Sequence, residues 1–72
     1  MTVSEPTRML VSKAANAEGI TFDRKTELYK VSPDVYQFSS VRITDECAKT
    51  GVCKYERFLA IINGFEVIIQ NA

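Results

Sequence analysis

The chain has 72 residues, nine basic and nine acidic side chains, two cysteines and no histidine. This length allows a single domain, 1–72, which buries only about 60% of the surface its unfolded form exposes and draws roughly 3–5 kcal/mol from its core. Without histidine the commonest general base and the serine triad are lost, two cysteines cannot make an all-protein zinc site, and interleaved, cancelling charges leave no basic stripe for nucleic acid.

The N-terminus, MTVSEPTRML, has no apolar segment of the secretory type. No apolar run is long enough to span a bilayer. These features point to a cytoplasmic protein, in the host cytosol if viral, with reduced thiols and no membrane partner. Residues 4–17 are predicted to form a helix. Ser4 suits the N-cap, Glu5 and Pro6 suit the first turn, and Gly19 falls just past the end. Met9, Leu10, Ala14 and Ala17 form the expected apolar stripe, with Val11 and Ala15 on its flank. The stripe is small in volume and covers little area.

Ile20 to Phe22 suits a short strand and Asp23-Arg24-Lys25 a polar turn. Residues 26–31 and 35–44 then flank Ser32-Pro33-Asp34, where proline presets φ for the first central position of a tight turn and aspartate suits the second. In a hairpin with Ser32 opposite Val35, Val31 faces Tyr36 and Tyr29 faces Phe38. That register puts those four residues on one side and Leu28 and Lys30 on the other.

Residues 45–52 interrupt the strand pattern. They suit a loop, or a single helical turn capped by Thr44 or Asp45 and ended by Gly51. Cys47 and Cys53 flank the interruption as C-x5-C, which is not the C-x-x-C of a redox motif. A bridge would staple this loop in an oxidising compartment. In a cytosol the expectation is two reduced thiols, at least one acting as a small apolar residue.

The last stretch, KYERFLAIINGFEVII, places Asn63-Gly64 between two apolar runs, the signal of a type I′ hairpin. With Ile62 opposite Phe65, one face collects Phe58, Ala60, Ile62, Phe65, Val67 and Ile69. The reverse collects Leu59, Ile61 and Ile68 beside Arg57, Glu66 and Gln70. Residues 53–63 also fit helical spacing, with Gly64 as a helix terminator. The aromatic and β-branched content of the stretch favours the strand.

The expected fold is α+β: an N-terminal helix packed on a three- to four-stranded antiparallel meander that ends in the Asn-Gly hairpin. One thin helix covers one side of such a sheet. The other side would then carry Leu28, Val35, Val41, Ile43, Leu59, Ile61 and Ile68, unless the sheet curls on itself with 45–52 as a lid. An uncovered apolar face points to contact with a protein partner or a second copy. The expected contact residues are Val41, Ile43, Leu59, Ile61 and Ile68, with Tyr55 and Arg57 on the rim.

The acids are scattered, Asp45 and Glu46 are adjacent and point apart, and no glycine-rich phosphate loop exists. No catalytic, metal or cofactor-binding residue and no small-molecule substrate is therefore expected. The expected function is a non-enzymatic accessory or inhibitor protein, or a small subunit of a larger assembly. Size and composition associate such a chain with phage or mobile elements. The alternative is single-stranded nucleic-acid binding through Tyr29, Tyr36 and Phe38, with Lys30 and Arg42 nearby. It ranks second because the charge is balanced and alternating aromatics usually form core.

Overall fold

The computed structural model describes residues 3–72. Helix α1 (Glu5–Ala17) leads into strands β1 (Tyr29–Ser32) and β2 (Val35–Val41). A short helix α2 (Asp45–Thr50) then precedes β3 (Tyr55–Asn63) and β4 (Glu66–Asn71). The strands form one antiparallel sheet in the order β1-β2-β3-β4. The fold is thus the expected α+β meander, and residues 55–63 are strand rather than helix.

Helix α1 begins where expected. Ser4 is extended at the N-cap, and Pro6 occupies the first turn, where its missing N–H costs no helical bond. Its buried stripe is rotated from the expected one. Val11 and Ala15, one turn apart, are fully buried, whereas Met9 and Ala17 are exposed. The small Ala15 lets the helix lie close to the sheet, nearest β4.

The helix does not cover the sheet alone. The connection from Glu18 to Leu28 contributes Ile20, Phe22 and Leu28 to the core, against Phe38, Phe58, Ala60 and Ile69. Phe22 meets Phe38 edge-on with ring centroids 5.3 Å apart, and Phe38 meets Phe58 at 5.4 Å. The expected strand at Ile20–Phe22 is a single bridge, Ile20 to Arg42, supported by Thr21 N–H on the Val41 carbonyl at 3.0 Å.

Arg8 pins this connection to α1. Its guanidinium donates to the carbonyls of Thr26 (3.0 Å) and Asp23 (3.2 Å) and lies 5.2 Å from the centre of the Phe22 ring. Asp23 closes the turn, its carboxylate accepting from the N–H of Lys25 and of Thr26 at 2.9 and 3.1 Å.

The first hairpin departs from the expected register. Ser32 pairs with Val35, but Lys30 pairs with Tyr36 and Tyr29 with Gln37, so Val31 is an extra, bulged residue. Asp34 has φ 62° in the turn that follows Pro33. Turns built on proline at the first central position do not match the right-handed twist of two strands, and a bulge absorbs the mismatch. The consequence is a change of side. Tyr29 moves to the face away from α1, Val31 is exposed, and Leu28 enters the core.

The C-terminal hairpin turns one residue later than expected. Asn63 pairs with Glu66, leaving Gly64 and Phe65 as the central pair. Only Gly64 adopts positive φ, 65°, which is the glycine-first pattern of a type II′ turn rather than type I′. The shift changes the sum of paired numbers by two, so each residue keeps its side of the sheet. Phe65 is the exception, at 95% exposed on the turn instead of in the core.

Between the hairpins, Thr44 caps α2 by accepting the Cys47 N–H at 3.1 Å. Gly51 ends it at φ 74°, a left-handed position that glycine occupies without steric cost. Cys47 and Cys53 are joined in a disulfide, with Cα atoms 5.0 Å apart, which corrects the expectation of free thiols. The helical turn is the reason. It folds the chain back so that a six-residue separation spans a bridgeable distance. Among the described residues no helix is long and apolar enough to cross a membrane.

Candidate interaction surface

Alternation and register assign the face of the sheet opposite α1. Its rows run across the strands. Val41 lies beside Tyr55, then Ser39 beside Arg57. Next come Tyr29, Gln37, Leu59 and Gln70 in one row, and Ser32, Val35, Ile61 and Ile68 in the following one. Asn63 and Glu66 close the far end. None of these side chains belongs to the core cluster.

The two middle rows hold five apolar or aromatic side chains, Tyr29, Leu59, Val35, Ile61 and Ile68, with uncharged Gln37, Gln70 and Ser32 among them. Val35, Leu59 and Ile61 are half-buried by their neighbours, and Ile68 is 48% exposed. Tyr29 is 57% exposed at one edge, where its hydroxyl donates to the Glu27 carboxylate. The middle rows carry no charge, and Arg57 and Glu66 are the only charged residues in the rows of this face, one near each end. Charge depletion around an apolar centre, with tyrosine and arginine present, is the composition of an interface core.

Among the described residues no element of the chain lies over this face. Helix α1 approaches the sheet at β4 from the other side, and α2 makes no extended packing with any strand. The short 45–52 segment therefore does not act as a lid.

The residues expected to form the contact surface separate into two groups. Val41, Tyr55, Arg57, Leu59, Ile61 and Ile68 share this face. Ile43 lies just beyond the end of β2, where its N–H donates to the Gly19 carbonyl at 2.9 Å, and it lines a notch together with Val41 and Tyr55. Tyr29 joins the face unexpectedly, opposite Gln37, which alternation already placed there with Val35. The signal that could have found Tyr29 is the proline turn, whose mismatch with strand twist implies the bulge that flips β1.

The aromatic trio considered for base stacking is dispersed by the same geometry. Phe38 is buried in the core and Tyr36 packs against it, leaving only Tyr29 on the open face. Arg42 is turned toward the core side, 5.5 Å from the centre of the Phe58 ring.

A notch of about 640 Å³ opens between the end of β1 and the Ile20 bridge, where nothing pairs with Ser39 on the free edge of β2. Thr21, Glu27, Tyr29 and Tyr55 are among its walls. It is open to solvent, and among the described residues no three histidine, cysteine, aspartate or glutamate side chains converge as they would to hold a metal ion.

In comparison with known proteins, no family model, curated protein or solved structure matches this chain.

Proposed function

We propose that the chain is a non-enzymatic protein-binding module, an accessory or inhibitor protein or a small subunit of an assembly, that works through the outer face of its sheet. One observation carries this reading. The face holding Tyr29, Val35, Leu59, Ile61 and Ile68 is apolar at its centre and bare, while the opposite face is closed by α1 and the Glu18–Leu28 connection. A bare apolar patch costs solubility, and contiguous patches on small proteins mark contact sites.

The compartment bears on the same reading. A cytosolic location would require the Cys47–Cys53 bridge to survive a reducing thiol pool. An oxidising compartment would supply the bridge directly. Thiol labelling of the protein trapped at harvest distinguishes the two.

The test of the binding face uses matched baits. Wild type, Ile61→Glu and Ile68→Lys are compared with Lys13→Glu, an exposed change on α1. A partner or second copy held by wild type and Lys13→Glu, and lost with both outer-face variants while circular dichroism is unchanged, supports the reading. Retention by both outer-face variants, or unfolding of both, sinks it, because the face is then respectively inert or core.

A further inference from the structure

We infer that the occupant of this face is a second copy of the chain, packed face to face about a two-fold axis that lies between the two sheets and runs perpendicular to the strands. The inference rests on the protein-binding reading of the same face and names its partner.

The pattern of charge on the face selects both the partner and the axis. Arg57 stands in the second row and Glu66 in the last, on either side of the apolar rows centred on Leu59 and Ile61. Two sheets stacked by a two-fold axis parallel to the strands would set each row on itself, with Arg57 level with Arg57 and Glu66 level with Glu66. An axis perpendicular to the strands reverses the rows instead. Arg57 then faces Asn63 of the partner subunit, one strand from Glu66 of the partner subunit, within reach of a guanidinium on its long stem. The row of Leu59 falls on the row of Ile61 and Ile68 of the partner subunit. A face that is apolar in the middle and opposite in charge at its ends is self-complementary under this operation alone.

The size of the face is consistent with a dimer of modest strength. Strands about 4.8 Å apart, with about 3.4 Å per residue, give a footprint of roughly 500 Å² per protomer. The total of about 1,000 Å² meets the lower bound for a specific interface. Both sheets carry the usual twist, so the stacked strands cross at about 30°. Gln70 supplies polar atoms at the β4 rim, and Gln37, between Tyr29 and Leu59, supplies an amide inside the contact. A small contact of mixed polarity with only two charge pairs fits dissociation in about the micromolar range.

Sedimentation equilibrium of the oxidised 72-residue chain tests the proposal through a charge swap. Wild type should be a dimer at concentrations between about 0.1 and 1 mM. Arg57→Glu and Glu66→Arg should each weaken the dimer at least about tenfold, since each change places like charges together twice across the two-fold axis. The double swap, R57E with E66R, should restore dimerisation to near the wild-type level. A wild type that remains monomeric at about 1 mM overturns the proposal, and so does a dimer that neither single reversal weakens. A double swap weaker than either single variant overturns it as well. Failure here is separable from failure of the binding face. A monomer that still captures a partner in an Ile61-dependent way removes the second copy and keeps the face, whereas a dimer indifferent to Ile61→Glu removes both.

Discussion

Reducing the Cys47–Cys53 bridge measures how far a chain of this size depends on a staple. The bridge closes a loop with a sequence separation of six. Constraining so short a loop in the unfolded chain is worth roughly 2 kcal/mol by loop-closure entropy. The core of a domain this small rarely supplies more than roughly 3–5 kcal/mol in all. Reduction should therefore remove about half of the total without dissolving the sheet. The bridge sits on α2, and the aromatic core of Phe22, Phe38 and Phe58 lies elsewhere.

Equilibrium urea unfolding, followed by circular dichroism with and without a phosphine reductant, reads this directly. With a slope of about 1 kcal/mol per molar urea, the midpoint should fall by roughly 2 M. The reduced protein should still show native β-sheet signal without urea, because Thr44 continues to cap α2 and Gly51 to end it. The pair C47A with C53A should behave as the reduced protein does. Identical midpoints for oxidised and reduced protein would refute the reasoning, since the unfolded loop would then gain no freedom from reduction.

Three further outcomes follow from the packing. Phe58 is fully buried between Phe38 and the Arg42 guanidinium, so Phe58→Ala should cost about 3–5 kcal/mol, enough to unfold the chain. Phe58→Leu should stay folded, and a cooperative urea transition in the alanine variant would contradict this placement. Arg8→Ala should cost about 1–2 kcal/mol by releasing two carbonyls and the Phe22 ring. Arg8→Lys should not rescue it, because an ammonium lacks the planar fork; wild-type hydrogen exchange at Ile20 and Thr21 in either variant would count against the pin. At the last turn, Gly64→Ala should cost about 1 kcal/mol for its φ of 65°. Phe65→Ala, at a site 95% exposed, should change stability by less than about 0.5 kcal/mol, and a reversed ranking in thermal melts would disprove the turn assignment.

Much of the fold was legible because its signals are local. Ser4 and Pro6 mark the start of α1, Thr44 and Gly51 bracket α2, and Asn63-Gly64 marks the last hairpin. The alternation of Phe58, Ala60 and Ile62 against Leu59 and Ile61 held even though the turn moved by a residue, because a register shift that keeps parity keeps every side chain on its face. The same alternation made most of the contact surface legible, since Leu59, Ile61 and Ile68 needed only a period of two.

What escaped the sequence depends on contacts between distant segments. The buried stripe of α1 is Val11 and Ala15 because that edge meets Ile69 and the Glu18–Leu28 connection, and helical spacing alone does not choose between adjacent stripes. Tyr29 changed sides through a bulge whose position is a compromise between the Pro33 turn and the twist of β2 on β3. The disulfide formed because α2 brought Cys47 back toward Cys53, a distance that spacing along the chain leaves open. Sequence by itself determined which residues alternate, the start of α1 and the approximate position of both hairpins, and that one helix would be too small to cover both faces. Tertiary structure decided which segments supply that cover and left Leu59, Ile61 and Ile68 without any, because only a folded chain sets how far one helix and one connection can reach across four strands.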